Sequence, residues 1–137
     1  MSVILLDTHV FIWYVNGNEE LRKPTRKIID TAIQNNTLYL AAISLWEISM
    51  LDAKKRIILE MPCLEWLNHA IKEIRLQILP ITPAIAIESC HLPGGFHEDP
   101  ADRLIVATAR VEGLALATRD TKILTYSQSK YLAVVKA

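Results

Sequence analysis

Five carboxylates, Asp7, Glu47, Asp99, Asp102 and Asp120, fall where they could act together. Each follows an apolar run or opens a helical stretch. Acids gathered in one place repel one another and cost stability unless something cationic neutralises them. Hard divalent ions are the usual solution, and Mg2+ takes a few carboxylates while keeping several waters. Metal-assisted chemistry at a phosphate is what such a cluster would perform. The plainer alternative is helix capping. Ser44-Leu-Trp-Glu47 has the spacing of a capping box, Asp99-Pro-Ala-Asp102 nearly so, and Asp120 precedes Thr121 as an N-cap would. Capping explains any one of these acids but not the whole set, since Ser, Thr or Asn would serve as well.

The elements that must position these acids are short and well punctuated. Val3–Leu6, Leu38–Ile43, Gln77–Ile81, Leu114–Ala117 and Leu132–Val135 are brief apolar runs, as in strands buried on both faces. Helical stretches are expected at Thr8–Asn16, Pro24–Asn35, Ser44–Lys54, Pro62–Arg75, Thr82–Ser89, Pro100–Glu112 and Thr121–Ser127. Gly17 and Gly113 end two of them, and Thr82-Pro83 starts another. Residues 92–98, with Pro93-Gly94-Gly95, read as a loop. Alternating strands and helices predict an α/β fold with a central five-stranded parallel sheet and helices on both faces. In such a sheet all strands end on one edge, where open α/β folds form their crevice. Asp7, Glu47 and Asp120 should line that edge, with Asp99 or Asp102 joining if its helix points there.

Composition narrows the class. The 137 residues suit one domain, 1–137, and 51% apolar content rules out disorder. No basic leader precedes Asp7, and no uncharged apolar run approaches the ~18–20 residues of a membrane span. Cys63 and Cys90 lack any zinc spacing and suit a reduced, cytoplasmic protein. Net charge is zero, with 15 basic and 15 acidic residues. That argues against a strong positive field for nucleic acid. Setting aside the five clustered acids leaves 15 basic against 10 acidic groups, a different balance.

The stretches Ile4-Leu-Leu-Asp7-Thr8, Ser44-Leu-Trp-Glu47-Ile48, His97-Glu-Asp99-Pro-Ala-Asp102-Arg-Leu-Ile-Val-Ala-Thr-Ala109 and Ala117-Thr-Arg-Asp120 resemble the PIN-domain ribonucleases. More narrowly, they look like VapC toxins of bacterial type II toxin–antitoxin pairs. The resemblance runs through essentially the whole chain. It implies an endoribonuclease dependent on Mg2+ or Mn2+, a homodimer, and inhibition by a cognate antitoxin. It also implies a catalytic, metal-binding quartet of Asp7, Glu47, Asp102 and Asp120. Asp99 is an extra acid; Asp102 is preferred because it directly precedes the Leu-Ile-Val-Ala-Thr-Ala helix.

Other residues carry less. Thr8 could orient Asp7 or a metal-bound water, or simply cap its helix. Arg22, Lys23, Arg26 and Lys27 form one basic cluster and Lys54, Lys55 and Arg56 another; both are solvated faces or RNA contacts. Arg103 is expected in a salt bridge. His9, His69, His91 and His97 lack zinc spacing, and only His97, beside the acidic loop, is a candidate for a functional role. Trp13, Trp46 and Trp66 read as core or interface aromatics. Val10–Val15 is apolar all round and must be covered on more than one side, by the sheet and by a second subunit or antitoxin helix. The competing functions are a catalytically silent PIN-like scaffold for RNA or protein, a receiver-type signalling domain, and an aspartyl-phosphate phosphatase of the haloacid-dehalogenase type. The phosphatase would need a second Asp where His9 stands. The receiver would need its acid at a strand end, in place of Glu47, and a late Lys where Arg119-Asp120 stands.

Overall fold

A computed structural model describes residues 3–137. Its five strands are β1 (Ile4–Leu6), β2 (Leu38–Ala41), β3 (Gln77–Leu79), β4 (Ala115–Thr118) and β5 (Val134–Lys136). Its helices are α1 (Thr8–Asn16), α2 (Lys23–Gln34), α3 (Ala42–Ala53), α4 (Cys63–Glu73), α5 (Pro83–Cys90), α6 (Pro100–Glu112) and α7 (Thr121–Ser127). All strands are parallel, in the order β3-β2-β1-β4-β5. The five-stranded α/β sheet expected from the sequence is therefore present.

Strand β1 is the middle of the sheet and is buried throughout. Side chains alternate along a strand, so Ile4 and Leu6 enter one core and Leu5 the other. The first core packs α1 to α4 against the sheet and includes Phe11, Ile29, Ile48 and Trp66. The second packs α5 to α7 and includes Ile85, Ile105, Val106 and Ile123. From β1 the chain runs outward to β2 and β3, then crosses back to β4 on the other side. The strand order thus reverses between β1 and β4, the place where α/β sheets open a crevice at their carboxyl ends.

Several boundaries differ from the sequence reading. The second strand stops at Ala41 rather than Ile43, so α3 begins at Ala42 and its N-cap, Ala41, makes no side-chain hydrogen bond. Ser44 is consequently inside the helix, and the Ser44–Glu47 capping box does not form. Strand length is a property of the ladder: Leu40 pairs Leu6 and Ala41 pairs Leu79, and both neighbours end there. The apolar Ile43 packs from the helix into the second core instead. The other strands and α2, α4 and α5 shift by a few residues, whereas α1, α6 and α7 match. Gly17 and Gly113 adopt left-handed backbone at φ 66° and 68°, which terminates α1 and α6 without the clash a Cβ would bring.

The apolar run of α1 is covered largely by the chain itself. Val10, Phe11 and Ile12 are buried, and α3 packs beside them. Trp13 and Tyr14 are half-buried under guanidinium groups, with Arg119 4.7 Å and Arg26 5.2 Å from the ring centres.

Candidate functional site

Asp7 leaves the end of β1 and caps α1, accepting the Thr8 amide at 2.9 Å. Its own amide continues the ladder to Ala117 O of β4 at 2.9 Å. Its second oxygen accepts from Thr118 Oγ1 at 2.7 Å. Only 8% of Asp7 is exposed. Burial therefore pushes its pKa up, the bonds from Thr118 and Thr8 pull it back, and the Glu47 charge adds to the rise.

Thr118 also accepts the Asp120 amide at 3.0 Å, so one hydroxyl ties Asp7 to the start of the β4–α7 turn. Asp120 caps α7 through the amides of Lys122 (2.8 Å) and Ile123 (3.1 Å). The capping expectation for Asp120 is met in full, and capping does not remove it from the acidic edge. Thr118 was given no role by the sequence reading. Its signal was present, a Thr two residues before an Asp, the spacing of a local hydroxyl turn. The long-range bond to Asp7 was not legible.

Glu47 lies in the second turn of α3, not the first, because the helix starts at Ala42. Its carboxylate lies 2.5 Å from Thr8 Oγ1, which also meets the buried Ser44 Oγ at 2.9 Å. An ionised carboxylate only accepts, so Thr8 is the donor to Glu47. Asp7, and not Thr8, is thus the cap of α1; Thr8 holds Asp7 through its amide and Glu47 through its hydroxyl.

The two aspartates of α6 divide their work. Asp99 is the N-cap and accepts the Asp102 amide at 3.1 Å. Asp102 sits one turn in, with its side chain 18% exposed. Its pKa is pushed up to about 8, first by burial and then by the charges of Asp7, Asp99, Asp120 and Glu47. The charges of the other four acids thus all act on Asp102 in the same direction. His97 Nε2 stands 3.2 Å from Asp102 Oδ2 without hydrogen-bonding geometry, and its Nδ1 accepts from the Asp99 amide at 3.4 Å.

Arg103 does not form the expected salt bridge. It donates to the carbonyls of Ser89 (2.7 Å), Phe96 (2.8 Å) and His97 (3.0 Å), clamping the loop before α6. A guanidinium has donors enough for three carbonyls; Phe96 and His97 offer theirs from the irregular loop, and Ser89 from the last turn of α5, where helix carbonyls lack a partner.

The donor set consists of carboxylate oxygens, the chemistry that fits a hard divalent cation. Among the described residues no three His, Cys, Asp or Glu side chains form a ready-made metal site. Their oxygens are engaged by the Thr118 and Thr8 hydroxyls and by backbone amides. A cation would offset both the burial and the like charges that together hold Asp102 above the ordinary carboxylate range. A hollow of about 220 Å3 lined by Asp7, His9, Val10, Trp13, Arg119 and Asp120 gives access from solvent.

The PIN-domain family model matches residues 4–127. The chain belongs to the PIN-domain family. Within it, the chain is 35% identical over 134 residues to Ribonuclease VapC22 of Mycobacterium tuberculosis, covering 98% of this chain and 99% of that one. Among solved structures, DNA-bound VapBC2 of Rickettsia felis matches this PIN domain with TM-score 0.71 at 17% identity, covering 96% of each chain. FitAcB of Neisseria gonorrhoeae matches with TM-score 0.65 at 24% identity, covering 97% and 96%. These likenesses show a shared fold. Membership of the PIN family sets aside the receiver and dehalogenase-type readings.

Proposed function

We propose that this PIN domain is a divalent-metal-dependent endoribonuclease and the toxin of a type II toxin–antitoxin pair. The observation that carries the reading is the grouping of acids at the carboxyl ends of β1 and β4: Asp7 and Asp120 line one hollow and share the Thr118 hydroxyl, and Glu47 is bonded to Thr8 beside Asp7. The 35% identity to a ribonuclease over nearly the whole chain supports the same substrate class. A bound Mg2+ or Mn2+ would neutralise charge on the phosphate and acidify the attacking water. Asp7 and Asp102 are the residues we assign to hold it, with Glu47 and Asp120 completing the set directly or through water. Asp99 serves as the cap of α6. Thr118 fixes the rotamer of Asp7, and Thr8 fixes that of Glu47, so neither acid must be ordered when substrate arrives. Attack by water on phosphorus, with the 3′-oxygen leaving, gives 5′-phosphate and 3′-hydroxyl ends without using the 2′-hydroxyl.

A cognate antitoxin is one protein partner we propose, since solved structures that share the fold are described as toxin–antitoxin complexes, and a second copy of the chain is the other. Apolar side chains left outside the core offer them surface: Trp46 beside Glu47, Leu64 on α4 and Ile87 on α5. No helix among the described residues is long and apolar enough to cross a membrane. The cytoplasm is the compartment we assign, in keeping with free Cys63 and Cys90.

The test is cleavage of a structured RNA by purified protein. Activity with Mg2+ or Mn2+, arrest by EDTA and 5′-phosphate product ends are expected. Ca2+, larger and more flexible in its coordination, should support little turnover. Full activity in excess chelator, or 2′,3′-cyclic phosphate ends, would exclude this chemistry. A folded, metal-binding protein that cleaves no RNA would favour the silent-scaffold alternative.

A further inference from the structure

The acidic edge opens onto a second hollow whose residues the quartet does not use. This neighbouring space of about 510 Å3 shares His9 and Trp13 with the hollow at Asp7 and Asp120, and extends past Asn18 to Lys55, Arg56 and Ile58. The two therefore form one track. One end carries the acids and the other carries two cations. Among the described residues neither Lys55 nor Arg56 has a carboxylate in ion-pair range, unlike Arg110 and Arg119. Ile58 is 88% exposed on the same track, an apolar side chain left in solvent beside charge. Trp13, half-buried where the hollows meet, has Arg119 4.7 Å from its ring centre and His9 tilted 53° against it at 6.2 Å.

Unpaired cations, an aromatic ring and an exposed aliphatic chain in one groove match the chemistry of single-stranded nucleic acid, whose backbone needs cations and whose bases need π and apolar surface. A double helix would present only its backbone to this groove. Resting on the ribonuclease reading, we propose that the groove from Trp13 to Lys55 and Arg56 is a subsite for an unpaired RNA segment flanking the scissile phosphate. Lys55 and Arg56 hold its phosphates, and Trp13 stacks a base beside the acids. The track reconciles the zero net charge with a polyanionic substrate: positive charge is concentrated next to the site and need not pervade the surface.

The test uses a labelled, unstructured RNA oligonucleotide with Ca2+ in place of the catalytic ion, so that binding is read without turnover. The double variant Lys55→Glu/Arg56→Glu should bind at least ~10-fold more weakly, with a shallower salt dependence as phosphate contacts are lost. Lys72→Glu/Arg75→Glu is the control, with an identical charge change at the end of α4, where the chain enters the amino end of β3. It should bind within about 2-fold of the parent, because neither residue lines either hollow and exposed charges outside a contact are screened by salt. Trp13→Leu keeps an apolar side chain and should weaken the single strand about 5-fold or more, and a paired duplex far less. In cleavage assays both groove variants should raise KM and leave kcat nearly unchanged. Equal binding by the groove and control variants, in a chain that cleaves RNA, overturns the subsite alone. So does a groove variant that loses only a protein partner. A parent chain that neither binds nor cleaves RNA overturns the ribonuclease reading with it.

Discussion

The two edges of the one sheet are built to opposite electrostatic plans. At the amino edge, a hollow of about 560 Å3 is lined by Val3, Gly113, Leu114, Tyr131 and Arg110 among others. Its charge is settled: Arg110 donates to Glu88 at 2.7 Å and to the Tyr131 carbonyl. At the carboxyl edge the part of the track lined by Asp7 and Asp120 holds only about 220 Å3, and burial together with the neighbouring acids pushes Asp102 up to about 8. Unresolved charge, and not volume, therefore marks the working edge. The polarity of a parallel sheet explains the arrangement. Strand carboxyl ends meet helix amino ends, whose dipoles favour anions, so acids can accumulate there at lower cost than elsewhere.

The largest effect should come from removing one acid at the switch point. Asp7→Asn should lower metal-dependent RNA cleavage by at least ~100-fold, as removal of a principal charge-stabilising group does. Asn caps helices well and resembles a protonated Asp, so the metal-free fold should melt at the same temperature or higher. Near-parent activity in a folded Asp7→Asn protein would break the comparison and leave capping as the role of these acids.

The pH dependence comes next. Asp102 is raised from 3.8 to about 8 and Asp7 is raised as well, so between these limits the folded state binds more protons than the unfolded state. Stability then falls as pH rises through that window. Metal-free protein should lose on the order of 1–2 kcal/mol between pH 5 and 8, a value set well below the full shift because Asp102 is coupled to its neighbours. Asp102→Asn should flatten this slope in denaturant titrations, and divalent ions should reverse it in the parent. A slope unchanged by Asp102→Asn would place the stress elsewhere.

Glu88→Gln at the amino edge should cost about 1 kcal/mol or less, as for a part-exposed ion pair, and leave cleavage within about 2-fold of the parent. A large loss of cleavage there would erase the contrast between the edges. The smallest effect is expected for Asp99→Asn, since Asn can accept the Asp102 amide in its place: stability within ~0.5 kcal/mol and cleavage within a few-fold. If Asp99→Asn were as damaging as Asp102→Asn, the division of labour along α6 would be wrong.

Much of the site was legible in the sequence because its acids sit at punctuation. Asp7 stands directly beyond β1 and Asp120 two residues beyond β4, and Asp99 and Asp102 flank the Pro100-Ala101 that starts α6. Local signals of this kind act within a few residues, so they survive reading one residue at a time. The alternation of short apolar runs with helical stripes gave the parallel sheet, since buried parallel strands are apolar on both faces.

What tertiary structure decided depended on residues far apart in the chain. Where β2 ends was set by β1 and β3, and that moved Glu47 from a capping box to a bond with Thr8, 39 residues away. The local S-x-x-E pattern was real as spacing but lost to the ladder. Arg103 found two loop carbonyls and one at the end of α5 in place of a carboxylate, partners brought to it by the packing of α5 against α6. Thr118 reached Asp7 across 111 residues only because β1 and β4 are adjacent at the switch point. The sequence determined which chemical groups lie at the carboxyl edge, through periodicity and helix starts. Which of them face one another, and how strongly each resists its charge, depended on strand order and burial. Those quantities exist only once the chain has closed on itself.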